Sequence, residues 1–200
     1  VTLGGKIYID GVDITPDDIY AHHDKTGELP KTSATNGGEC LDFFRKFTES
    51  GKTVIHFTIS SEMSSTYANA CLAAEELENV YVINTENLST GGGLLVVAAA
   101  QMRDDGLSAE EIVEKTKALV PCVDASFVID SLEYLYKGGR CSALAMFGAN
   151  LLKLKPCIQV KNGKMDVAKK YRGKYDEVLK QYIREKVTDY SDIVLDRVFI

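Results

Sequence analysis

No apolar run in this 200-residue sequence is long enough to span a bilayer, and no signal-peptide pattern opens it. No membrane-spanning helix is therefore expected within these residues, and the cysteine usage points to a cytoplasmic protein. Cys-x-x-Cys is absent. The five cysteines, at 40, 71, 122, 141 and 157, are odd in number and scattered. That pattern points to reduced, mostly buried thiols rather than a disulfide framework or a zinc site. Basic charge is in the minority, with a net charge of −6, which argues against nucleic acid as a main partner. Low-complexity stretches and internal repeats are missing too. What remains is ordinary for a globular protein: 45% apolar and 26% charged residues, in a length that suits one large domain or two small ones.

The charge that is present is unevenly placed. Residues 161–187 hold nine Lys or Arg against four Asp or Glu, a net +5 that leaves about −11 elsewhere. Such a stretch is either a solvated face or a docking patch for an acidic partner or an anionic surface. Lys169, Lys170, Arg172 and Lys174 are its centre.

Local patterns alternate between strands and helices. A small hairpin is expected around Gly4-Gly5 and residues 6–10, followed by a helix with Thr15 as N-cap and Pro16 in its first turn. Residues 25–35 read as loop. Cys40, Leu41, Phe44 and Phe47 share a helical face that ends at Gly51. A strand over 53–59, a helix through Ala68 to Glu75 and a short strand over 80–83 come next. Gly91-Gly92-Gly93 reads as a tight strand-to-helix turn leading into an apolar helix, and Ser108-x-x-Glu111 as a capping box. Beyond residue 120 the sequence predicts a strand over 126–130, an Ala-rich helix over 142–152 and a hairpin whose Asn162-Gly163 suits a type I′ turn. A helix over 174–187 and a final strand over 193–200 complete it. This alternation indicates an α/β fold with a parallel sheet. A domain boundary is expected near 121–125, dividing 1–122 from a smaller α/β unit over 123–200.

Two hydroxyl clusters stand before predicted helices. One is Pro30-Lys31-Thr32-Ser33-Ala34-Thr35 and the other Ser60-Ser61-Glu62-Met63-Ser64-Ser65-Thr66-Tyr67. Hydroxyls and unpaired N–H groups at a helix start favour an anion. No general base or metal cluster accompanies them, which suggests binding rather than reaction. Taken alone, Ser64 reads as a simple N-cap rather than a ligand-binding residue, and Thr32 and Ser33 read as loop residues bonded to nearby backbone. Gly91 to Gly93 lacks both Gly-x-Gly-x-x-Gly and a following Lys-Ser/Thr, so it is not a nucleotide loop. His56 sits in a predicted buried strand and reads as structural. His22 and His23 are helix neighbours that point apart and make a poor metal pair. Cys40 stands near the hydroxyls, with no His or basic partner evident.

Pro30-Lys31-Thr32-Ser33, Ile59-Ser60-Ser61-x-x-Ser64-x-Thr66-Tyr67 and Leu132-Glu133-Tyr134-Leu135-x-Lys137-Gly138-Gly139-Arg140 occur together, in this order, in the DegV family. The stretches 8–14 and 154–156 also resemble that family, so the likeness covers essentially the whole chain. It implies a Rossmann-like first domain, a smaller α/β second domain, and a long-chain fatty acid held between them. It also implies that the sequence is truncated at both ends, with a strand before residue 1 and a tail after residue 200 that supplies a histidine. Thr32 and Ser33 match the hydroxyl pair beside the acyl carboxylate, Ser64 the serine at the helix start, and Arg140 a supporting arginine. Ser65, Gly91 and Gly92 are candidate cavity-lining positions. Some family members carry the acyl chain for a bacterial fatty acid kinase and present its carboxylate to a separate kinase subunit. The reading is thus a lipid-binding protein with no catalytic residue, metal or cofactor, in contact with a kinase subunit and transiently with a membrane surface. The alternatives are a small acyl hydrolase or transferase using Ser64 or Cys40, and a lipid-responsive regulatory protein.

Overall fold

A computed structural model describes residues 1–141, 154–188, 191–194 and 197–199. The chain divides into two compact units, Val1–Thr35 and Asn36–Ile200. In the first, β1 (Thr2–Leu3) turns through Gly4 and Gly5, at φ 55° and 76°, into antiparallel β2 (Lys6–Ile7). Helix α1 (Pro16–Thr26) is closed at its start by a capping box between Thr15 and Asp18 and stopped by left-handed Gly27. Leu3 and Ile14 are the buried apolar residues of this unit.

The second unit opens with α2 (Gly37–Thr48), capped by Asn36 and Glu39. Its Cys40 and Phe44 pack on Ala70 and Ala73 of α3 (Thr66–Ala74), with Val54, Val80 and Val82 around them. Phe47, on the same predicted face, lies at the surface and packs edge-on against Phe43. The strands β3 (Val54–Thr58) and β4 (Val80–Asn84) pair in parallel, Val54 opposite Val80 and Thr58 opposite Asn84. Helices α4 (Ser89–Asp104) and α5 (Ala109–Leu119) follow, the latter with the expected Ser108–Glu111 capping box.

After a 3-10 turn at Val120–Cys122, a separate three-stranded antiparallel sheet follows. Strand β5 (Ala125–Val128) pairs with β6 (Lys155–Lys161), which pairs with β7 (Lys164–Tyr171). Asn162 and Gly163 at φ 50° and 74° form the expected type I′ turn. A short helix α6 (Glu133–Gly138) precedes left-handed Gly139, and α7 (Tyr175–Thr188) buries Val178 against Val128, Cys157 and Tyr171.

Two expectations need correction. Gly91 to Gly93 are not the turn into α4 but its first helical turn, because the chain already enters the helix at Ser89. No strand forms among the described residues of 193–200. Val194, Val198 and Phe199 remain 45–61% exposed, and Arg197 N–H donates to Val194 O at 3.1 Å. The expected Ala-rich helix over 142–152 lies outside the described residues. Among the described residues, no helix is long and apolar enough to cross a membrane.

Candidate functional site

The carboxyl ends of β3 and β4 are sewn together by buried polar side chains. Thr58, Ser60, Thr85 and Asn87 are each at most 3% exposed. Thr85 Oγ1 donates to Thr58 O at 2.8 Å and accepts from Asn87 N–H at 3.2 Å. Ser60 N–H donates to Asn87 O at 2.9 Å. One step outward, Asn84 Oδ1 accepts from the Ser61 and Glu86 amides at 3.2 and 3.1 Å, and its Nδ2 donates to Ser61 Oγ at 2.9 Å. Each buried polar group has a partner, so the two loops that leave these strands are held in one arrangement. In open α/β sheets, ligands bind beyond the carboxyl ends of parallel strands, and these loops occupy that position.

Ser64 and Ser65 stand on the first of these loops. The Met63 and Ser64 amides both donate to Ser60 O, at 3.0 and 3.2 Å, which curls the segment into the start of α3. Ser64 Oγ accepts from Thr66 N–H at 3.2 Å and lies 2.8 Å from Thr66 Oγ1. The serine therefore does cap-like work, although the residue at the N-cap itself is Ser65, whose side chain makes no capping bond. Ser64 and Thr66 are half-buried, and the next amides of α3 lie in the turn that has no intrahelical acceptor. An apolar wall adjoins them. Met63 and Leu88, one from each loop, pack against Leu132, Cys141, Ile158, Val160 and Met165.

Gly91 and Gly92 belong to the second loop's helix. A Cβ on Gly91 would stand 2.1 Å from Asn87 Oδ1 and 3.0 Å from the Ala125 side chain, and one on Gly92 would meet Thr85 Oγ1 at 3.5 Å. Gly91 thus lets the strand-end network close beneath α4, whereas a Cβ on Gly92 would make only an ordinary van der Waals contact. Arg140 is exposed, and its Nη1 donates to Gly138 O at 2.5 Å, closing its own turn. Thr32 and Ser33 are exposed, non-helical residues of the first unit. Of the basic cluster, Lys169 pairs with Glu185 at 2.8 Å and lies over the Tyr171 ring, while Lys170, Arg172 and Lys174 are exposed.

The groups suggested for nucleophilic chemistry are placed otherwise. Cys40 is 4% exposed, and burial together with the Glu39 carboxylate pushes its thiol up, away from thiolate. Burial pushes His56 down, and its ring packs edge-on to Phe44 at 5.1 Å, as a core side chain would. His22 bonds Glu28 at 3.1 Å. Ser64 has Thr66, not a base, as its side-chain partner. What sequence reasoning missed is the buried quartet behind the hydroxyl loop. The polar residues after each strand, Thr58 and Ser60 and then Asn84 to Asn87, are visible in the sequence, but nothing local marks them as buried.

Residues 1–192 match the protein family described as "Uncharacterised protein, DegV family". The chain belongs to the DegV family. A DegV domain-containing protein of Clostridium acetobutylicum is 37% identical over 175 residues, 86% of this chain and 63% of the relative. The chain thus spans less than two thirds of that curated relative's length. Its fold is also similar to solved DegV structures. One is a DegV family protein from Thermus thermophilus described by its fatty acid binding: TM-score 0.80, 30% identity, 91% of this chain and 66% of that one. Another is a stearic acid-binding protein from Eubacterium ventriosum: TM-score 0.78, 32% identity, 93% of this chain and 68% of that one. The mixed α/β fold with a parallel strand pair is the DegV fold.

Proposed function

We propose that this DegV chain is part of a cytoplasmic carrier that binds one long-chain fatty acid and does not itself catalyse a reaction. The observation that carries this reading is the half-buried Ser64–Thr66 hydroxyl pair at the start of α3, directly beside Met63 of the apolar cluster. A carboxylate head and an apolar tail need those two surfaces side by side. The fatty acid binding described for the Thermus protein and the stearic acid named for the Eubacterium protein support it. Hydrogen bonds to a carboxylate contribute roughly 1.5–3 kcal/mol each, and the helix start about 0.3–1 kcal/mol. Each buried methylene adds about 0.8 kcal/mol. The tail therefore dominates affinity, and the hydroxyls fix orientation. Thr32, Ser33 and Arg140 enter this reading through their match to the family pattern alone, and Ser65, Gly91 and Gly92 as cavity-lining positions.

Full-length protein is expected to carry about one extractable, unmodified fatty acid per chain by mass spectrometry. Ser64→Ala is expected to weaken oleate binding at a stability cost of about 0.5–2 kcal/mol. Lipid-free protein that binds neither oleate nor palmitate would remove the carrier reading, and stable acylation of Ser64 by a reactive ester would replace it with an acyl transferase.

The finer form of this reading is presentation of the carboxylate to a separate fatty acid kinase subunit. The family resemblance supports it, as does the exposed group Lys170, Arg172 and Lys174 in an otherwise acidic chain. Docking through exposed charge weakens as salt rises, since the screening length is about 8 Å at physiological ionic strength. Reversing Lys170 and Arg172 to Glu should slow association with a kinase subunit or an anionic vesicle and leave oleate affinity unchanged. Unchanged association after the double reversal would remove this docking surface.

A further inference from the structure

Three contacts tie the loop between β3 and α3 to the tip of the β6–β7 hairpin, both within the second unit. Ser60 Oγ, fully buried, donates to Gly163 O at 2.7 Å and accepts from Glu62 N–H at 3.2 Å. Lys164 Nζ reaches the Glu62 carboxylate at 3.0 Å. Met63 packs against the apolar cluster that contains Met165. Gly163 is shaped for this contact as well as for its turn. At φ 74° it suits only a residue tolerant of the left-handed region, and a Cβ there would stand 2.6 Å from Ser60 Oγ and 3.2 Å from Glu62 Cγ.

The backbone of the same serine governs the hydroxyl loop. Ser60 O accepts both the Met63 and Ser64 amides, and Ser60 N–H is fixed by Asn87 O. One residue therefore joins the hairpin tip, the end of β4 and the turn that aims Ser64. We propose that Ser60 is a positioning residue for the carboxylate site: it never touches the ligand, but its bond to Gly163 O sets the angle at which residues 61–66 present their donors. This inference rests on the reading that those residues receive a fatty-acid carboxylate. Displacing such donors by a fraction of an ångström weakens head-group recognition while leaving the contacts of the tail in place.

The test compares oleate with methyl oleate, which keeps the tail and loses the charge, on full-length wild type, Ser60→Ala and Gly163→Ala. Ser60→Ala is expected to weaken oleate binding by about tenfold or more, leave methyl oleate nearly unchanged, and speed amide exchange across residues 62–66. Gly163→Ala is expected to do the same, and its effect should shrink in the Ser60→Ala background, where the oxygen it would strike is gone. Should Ser60→Ala fail to fold, Ser60→Cys, which keeps a weak donor of similar size, takes its place. A lower melting temperature with unchanged oleate-to-methyl-oleate preference would overturn the positioning role, as would unchanged exchange over 62–66. If wild type binds neither lipid, the fatty-acid reading fails, and amide exchange still decides whether Ser60 holds the turn.

Discussion

Thr116 is fully buried on α5, and its Oγ1 has no hydrogen-bond partner among the described residues. An unpaired buried hydroxyl is a cost without a compensating bond, and valine has nearly the same shape. Thr116→Val should therefore stabilise the protein by about 1 kcal/mol, seen as a higher urea midpoint with an unchanged m-value. A lower midpoint would mean that the hydroxyl is satisfied. Individual residues also mark the limits of sequence reading. The Ser64 hydroxyl was legible because a serine before a helix announces donors at a known place. Ser60 was not, since its partner Gly163 lies 103 residues away. Nothing in a local pattern distinguishes a buried serine bonded across the fold from an exposed one in a loop.

Among the elements, α7 is held to the antiparallel sheet as much by polar groups as by Val178. Tyr182 OH donates to Ser126 O at 2.8 Å and Tyr171 OH to Glu185 at 2.5 Å. Lys169, then Tyr171 and Gln181, hold the Glu185 carboxyl down to about 2, from an ordinary value of 4.5. A carboxylate with a depressed folded value stabilises the protein fully above its unfolded value and loses that contribution as pH falls toward the folded one. Wild type should thus lose stability between roughly pH 4.5 and pH 2, and Glu185→Gln should flatten that slope while starting from a lower urea midpoint at neutral pH. Equal acid slopes for the two proteins would contradict this. Elements with local punctuation were the legible ones: the capped helices at Thr15 and Ser108, and the Asn162-Gly163 hairpin. The glycine run misled because its purpose is tertiary. Gly91 makes room for the Asn87 side chain, a contact that only the folded chain reveals.

At the scale of the whole molecule, the contact between Ser60 and Gly163 has a kinetic meaning. The β6–β7 hairpin closes over two residues, and hairpins of this kind form in about 1–10 µs. The parallel pair β3–β4 closes over the α3 crossover, with Val54 opposite Val80. Because Ser60 meets the hairpin tip across 103 residues, we expect this bond to form late in folding, after both local elements exist. A contact absent from the transition state slows unfolding without speeding folding. Stopped-flow traces of Ser60→Ala should accordingly show a refolding rate close to wild type and a faster unfolding rate, with the whole loss of stability on the unfolding arm. A refolding rate reduced in proportion to the lost stability would place the bond early instead. The serine behind the hydroxyl loop would then govern how long the native state lasts, rather than how quickly it is reached.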